Sequence, residues 1–199
     1  MKLLSVYYDE KDPFNFFKET ICITDPNEIE EHKENSILIL WGGQDISPSI
    51  YGEIAQPGCG PKTMSKRDIF EIACAKKAIE LNIPIIGVCR GAQLMCCLNG
   101  GSLYQHVDHH NNGSHNITTY DDKVLITNSI HHQMMKLKKT RYRLLAWNSI
   151  VFNKNIPIEP EIVYFPDTKT LAIQGHPEYL TPENIFVKYC TSLIRKFLC

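Results

Sequence analysis

The stretch Ile83-Pro-Ile-Ile-Gly-Val-Cys-Arg-Gly-Ala-Gln-Leu-Met95 places Cys89 between two glycines. An apolar β-type run changes there into a helix-type run. A cysteine used only for packing sits comfortably inside either element, whereas Cys89 sits at the joint. Gly87-Val88-Cys89-Arg90-Gly91 has the form G-x-C-x-G, the cysteine counterpart of the G-x-S-x-G nucleophile elbow. In such a turn the flanking glycines let neighbouring backbone pack close. The side chain then stands at the C-terminal edge of a sheet. The helix beyond it aims free N–H groups and its positive dipole end at the sulfur, which favours thiolate. The N–H of Arg90 becomes one oxyanion donor. A structural cysteine beside a glycine turn is the plainer alternative.

A thiolate nucleophile needs a proton-transfer partner held by a third group. Of the eight histidines, His176 is best placed, in Leu171-Ala-Ile-Gln-Gly-His-Pro-Glu-Tyr179. It follows a strand-like run and a glycine, and Glu178 lies two residues on, close enough to orient the imidazole. A third strand end, Ser36-Ile-Leu-Ile-Leu-Trp41, runs into Gly42-Gly43-Gln44-Asp45. Glycines there leave backbone N–H groups free to approach a developing oxyanion, though a plain glycine turn reads the same way.

These motifs need elements to carry them. Strands are predicted at 3–8, 37–41 and 84–88, rich in Val, Ile, Leu or aromatics and bounded by turn residues. A helix is predicted over 66–81, with Ile69, Ile72, Ala75 and Ile79 recurring at three- and four-residue steps. Another follows Cys89, and a last one runs from Pro182 towards Phe197. The second half adds short strand-like runs at 116–120, 123–127, 142–147, 162–165 and 171–174. The order β-α-β-α followed by closely spaced strands indicates a mixed, mostly parallel sheet flanked by helices, one α/β domain over residues 1–199.

Composition narrows the classes. With 199 residues and 43% hydrophobic content, the chain buries a substantial core. A net charge of −1 gives nucleic-acid binding no electrostatic support. The first apolar run is too short for a signal peptide or a membrane span, so a cytoplasmic protein is expected. Eight cysteines, none in a CxxC pair, then read as thiols rather than disulfides. Cys96 and Cys97 are expected to pack inside their helix.

Three other features compete for a function. Histidines crowd His106-Val-Asp-His-His-Asn-Asn-Gly-Ser-His115, and with Asp108 they could ligate a metal. The spacing fits no standard zinc pattern, so a solvated loop or pocket rim is expected, with no metal site. Lys62-Thr63 after Gly60 is like a phosphate loop, but Pro61 stands where a glycine belongs. Lys136, Lys138, Lys139, Arg141 and Arg143 make a basic run, read as an exposed helix end and turn, with docking of an acidic partner as the alternative.

GVCRGAQ, QGHPE and WGGQD, in this order and spacing, resemble the class I glutamine amidotransferase superfamily. Within it, 42–53 (GGQDISPSIYGE), the CRG triplet, 100–105 (GGSLYQ) and 128–133 (NSIHHQ) are most similar to the γ-glutamyl-γ-aminobutyrate hydrolase branch. The resemblance touches residues 36–180. It implies a flavodoxin-like three-layer fold and a Cys89, His176, Glu178 triad that hydrolyses a γ-glutamyl amide through a thioester. It also implies oxyanion-hole backbone at Gly43 and Arg90, a substrate α-amino contact from Gln93, and a substrate-carboxylate contact near His132. No cofactor is implied. The expected partners are a small γ-glutamyl substrate and, in one version, a separate ammonia-accepting synthetase. A stand-alone hydrolase is favoured over a glutaminase subunit, and a catalytically dead binding domain is the remote alternative.

Overall fold

The computed structural model describes residues 1–7, 12–111, 113–138 and 141–199. Tyr8 of the first predicted strand, Asn112 of the polar run and Lys139 of the basic run lie outside the described residues. The elements are β1 (Lys2–Val6), β2 (Glu19–Ile23), the short α1 (Glu28–Glu31), β3 (Ser36–Leu40), α2 (Lys66–Glu80), β4 (Ile85–Val88) and α3 (Arg90–Leu98). They continue with β5 (Ser102–Tyr104), β6 (Gly113–Thr119), β7 (Val124–Ser129), β8 (Met134–Lys136), β9 (Arg143–Asn148), β10 (Pro160–Phe165), β11 (Thr170–Ile173) and α4 (Ile185–Phe197).

Nine strands form one sheet in the order β2-β1-β3-β4-β11-β10-β9-β6-β7, and β5 pairs with β8 separately. The first five are parallel, and β10, β9, β6 and β7 extend the sheet antiparallel. β3 and β4 are buried at every position, as parallel strands covered on both faces must be. Alternation sorts their side chains between two cores. Leu3, Ile37, Ile39 and Ile86 pack with Phe186, Cys190 and Leu193 of α4, whereas Leu4, Leu38, Leu40 and Ile85 pack with Cys74 and Ala78 of α2 and Leu94 of α3. The expected three-layer α/β arrangement is therefore present. β3, β4 and β11 are adjacent, so the turns after them (42–45, 89–91 and 174–178) meet at one carboxyl edge, the usual place for an α/β ligand crevice.

Several details differ from the sequence reading. In α2 the buried positions are Asp68, Glu71, Cys74, Ala75 and Ala78, while Ile69 is 56% exposed. The helix is turned by about one residue, roughly 100°, which directs two carboxylates inward. α4 begins at Ile185 rather than Pro182, because Asn184 caps it by accepting the Phe186 N–H at 2.8 Å. The basic run is no helix end. Lys136 closes β8 and Arg143 opens β9, with Arg141 in an exposed 3.2 Å pair with Asp167. Nor is the histidine run only a solvated loop: His109 is exposed, but His110 is fully buried and His115 lies in β6. Among the described residues no helix is long and apolar enough to cross a membrane.

Candidate active site

Cys89 follows β4 directly and caps α3, with φ +47° and ψ −103°. A non-glycine residue with positive φ costs energy and persists only where its surroundings fix it. Here they do so with two backbone bonds: the Cys89 N–H donates to the Ile173 carbonyl at 2.7 Å, and the Gln93 N–H to the Cys89 carbonyl at 3.0 Å. The glycines are required for close approach. A Cβ on Gly87 would lie 2.7 Å from the Gly91 carbonyl carbon, and one on Gly91 would run into the Leu40 carbonyl.

His176 arrives from the neighbouring β11. Asn128 at the end of β7 grips its backbone twice, accepting its N–H and donating to its carbonyl, each at 2.7 Å. Nδ1 donates to Glu178 Oε1 at 2.7 Å, because a carboxylate only accepts, and this leaves Nε2 for chemistry. The Tyr179 ring stacks on the imidazole at 4.9 Å, 8° from parallel. Burial acts to lower the imidazole pKa, but hydrogen bonds to Cys89 and Glu178 and their charges outweigh it and push it up to about 10. This direction favours the protonated ring, the form in which it can donate a proton.

A sign follows for pH dependence. A histidine raised on folding contributes stability that is fully present below its unfolded pKa of ~6.5 and is lost as pH rises through the folded value. Activity that needs this proton should be flat through neutrality and fall as pH approaches about 10. Glu178→Gln removes one group that raises His176, so the alkaline limb should move to lower pH. A kcat/KM–pH profile with the limb unmoved would contradict this pairing.

Gly42 roofs the pair. A Cβ there would lie 2.6 Å from His176 Cε1 and 3.6 Å from Cys89 Cβ. Gly42→Ala should displace the imidazole and lower kcat by about 100-fold, the size expected for a misplacement near 1 Å, with little change in far-UV circular dichroism. Wild-type kcat in this variant would show that the ring does not work where it stands.

Gly43 has φ +138°, a conformation that favours glycine, and lines an open cleft of about 900 Å³ together with Arg90, Asp45 and Tyr7. The loop rests on a chain of buried charges. Arg67 Nη2 donates to the carbonyls of Trp41 at 3.1 Å and Gly42 at 2.8 Å, while its Nε meets Glu71 at 2.6 Å. Glu71 also binds Arg90, whose other nitrogen holds Asp68 at 2.5 Å. Asp68 in turn completes the capping box of α2 with Ser65. Arg90 is therefore both a backbone position beside Cys89 and a side-chain anchor. Arg67, Asp68, Glu71 and Asn128 are the site residues the sequence reading missed. The Arg67–Glu71 pair, four apart on a helix, is the one readable signal.

The structure brings Cys89, His176, Glu178, Gly43 and Arg90 together. Gln93, buried like Cys89 and His176, donates from Nε2 to the Gln133 carbonyl at 3.0 Å. His132 stands at the rim, half-exposed, with Nε2 2.9 Å from Asp45 Oδ2.

Among the described residues two clusters could hold a metal ion, Cys59–His106–His132 and His110–His115–Glu161. In the first, Cys59 Sγ already donates to the Gln105 carbonyl at 2.8 Å, and His106 Nε2 lies 3.0 Å from the Pro57 carbonyl. Near the second, burial holds the imidazoles of His110 and His131 below the ordinary value, His131 at about 4.

Comparisons with known proteins agree with the fold and the motifs. The chain is 31% identical over 191 residues to the glutamine amidotransferase-like protein YvdE of Lactococcus lactis, covering 84% of this chain and 78% of that one. It is also 31% identical over 86 residues to the γ-glutamyl-γ-aminobutyrate hydrolase PuuD of Escherichia coli, covering 42% and 33% of the two chains. A crystal structure from Thermoplasma acidophilum, described as a subunit of GMP synthase, superposes with a TM-score of 0.62 at 15% identity over 100% of this chain and 92% of that chain. The family pattern of peptidase C26 matches residues 22–178, and the chain belongs to that family, within the class I glutamine amidotransferase superfamily.

Proposed function

We propose that the protein hydrolyses γ-glutamyl amides, glutamine or a γ-glutamyl amine, through a thioester on Cys89. The observation that carries this reading is the meeting of Cys89, at φ +47°, with a His176 imidazole whose Nδ1 is held by Glu178. Cys89 sulfur attacks the γ-carbonyl, and the developing oxyanion is met by the N–H groups of Gly43 and Arg90. His176 gives its proton to the leaving nitrogen as the C–N bond breaks. A water then enters and His176 takes its proton. The hydroxide breaks the C–S bond, releasing glutamate and returning the sulfur and the His176 imidazolium to their starting state. The cycle uses one water together with groups of the chain, and it draws on no contact from Gln93, whose Nε2 faces the Gln133 carbonyl.

We favour a stand-alone hydrolase, on the four motifs similar to the γ-glutamyl-γ-aminobutyrate hydrolase branch. A second reading, a glutaminase subunit feeding ammonia to a separate synthetase, is supported by the superposition on a chain described as part of a synthase. Eight free cysteines accord with a cytoplasmic, reducing setting. Glutamate release by the purified protein from glutamine and a panel of γ-glutamyl amines separates the two. Fast turnover of an amine conjugate supports the hydrolase. Activity that appears only with a synthetase present supports the second reading, and no thioester with any substrate overturns both.

A further inference from the structure

The histidine-rich segment, unused by the reaction above, holds a second centre. His110 packs on His115 of β6 and on His131, with ring centroids 5.0 and 4.8 Å apart, beneath Glu159 and Glu161 of the β10 segment. Hydrogen bonds fix which nitrogens are free. Glu159 accepts from Asn148 Nδ2 at 2.8 Å, from Asn153 N and Nδ2 at 2.9 and 2.7 Å, and from His110 Nε2 at 3.2 Å. A carboxylate offers no proton, so His110 Nε2 is the protonated nitrogen and Nδ1 is left facing Glu161 Oε1 at 3.7 Å.

That contact is too long for a hydrogen bond and close to the spacing of two ligands on one tetrahedral ion, about 3.3–3.5 Å for bonds of ~2.0–2.1 Å. The carboxylate of Glu161, a residue 1% exposed, accepts from His115 Nε2 at 2.9 Å. Among the described residues, Glu161 Oε2 and His110 Nδ1 are buried without a partner. Buried polar atoms left unpaired are costly, and a buried carboxylate facing imidazole nitrogens calls for a cation.

We propose that His110, His115 and Glu161 bind a divalent first-row transition-metal ion of the zinc type, a structural ion separate from the Cys89 site. The ligands are His110 Nδ1, His115 Nε2 and the Glu161 carboxylate, whose second oxygen or a water fills the fourth position. Binding moves the His115 proton to Nδ1 and replaces its bond to Glu161. Imidazole and carboxylate suit such an ion. The other cluster carries less, because its ligand atoms already have partners. The ion would fasten the segment before β6 to β10. It would also fasten the segment leaving β7, since Ser129 Oγ donates to the His110 carbonyl at 2.6 Å and the His131 N–H at 3.0 Å. Asn128, which grips His176, is the preceding residue.

The test uses the full chain, stripped with a chelator and titrated with zinc and with cobalt(II) as a spectroscopic probe. The expected result is one ion per chain, a Tm raised by roughly 5–10 °C at a hundredfold excess over Kd, and visible cobalt bands with no thiolate charge-transfer absorption. His115→Gln and Glu161→Gln should lose the ion and Cys59→Ser should keep it. Should those two variants fail to fold, the wild-type titration still decides. No uptake and no Tm shift, or thiolate absorption that disappears in Cys59→Ser, overturns the assignment.

Discussion

Cys89→Ala should lower the turnover of γ-glutamyl amides by at least about 10⁴-fold, because loss of the nucleophile leaves only binding and the oxyanion donors. The fold should survive. Alanine keeps the Cβ that the turn already accommodates at φ +47°, and both backbone bonds that fix the turn involve main-chain atoms. Glu178→Gln should fall less far, since the imidazole keeps a hydrogen-bonding neighbour and loses only a charge. Steady-state assays with Tm on the same samples check both. Cys89→Ala with near-wild-type turnover would remove the thioester from the mechanism.

Glu71→Ala should destabilise the protein by about 3–5 kcal/mol, the cost of removing one partner from a buried ion pair. For a chain of this size that is a Tm lower by roughly 10 °C. Glu71 is fully buried and joins Arg67, which holds the Gly42 carbonyl, to Arg90, which begins α3. Its loss leaves two guanidinium groups with fewer acceptors, one under the Gly42 turn and the other at the start of α3. Thermal unfolding gives the first effect. The second is a fall in kcat in the folded fraction, which a merely stabilising pair would not cause. A Tm within a degree of wild type would mean that water replaces the carboxylate at little cost.

The contrast between these residues shows what a sequence can carry. Cys89 and His176 are legible because their signals are local: glycine at fixed offsets, a strand before, a helix or a proline after. Adjacency of β3, β4 and β11 turns three separate turns into one site, and only the topology supplies that. Ile69, Ile72 and Ile79 form the apolar stripe of α2 in the sequence, which leaves Asp68 and Glu71 on its outer face. Their inward turn depends on Arg90, 22 and 19 residues away. β5 and β8, of three residues each, are too short for periodicity to register. His110 reads as solvated because its sequence neighbours are polar, whereas the carboxylates that bury it lie some fifty residues on, at Glu159 and Glu161.

The most direct measurement is intact-protein and peptide mass spectrometry on enzyme quenched during turnover of a γ-glutamyl amide. The account predicts a mass gain of one glutamyl group, confined to the peptide bearing Cys89 and absent from Cys89→Ala. Glutamate released at the same rate with no adduct on Cys89, and undiminished in Cys89→Ala, would contradict it.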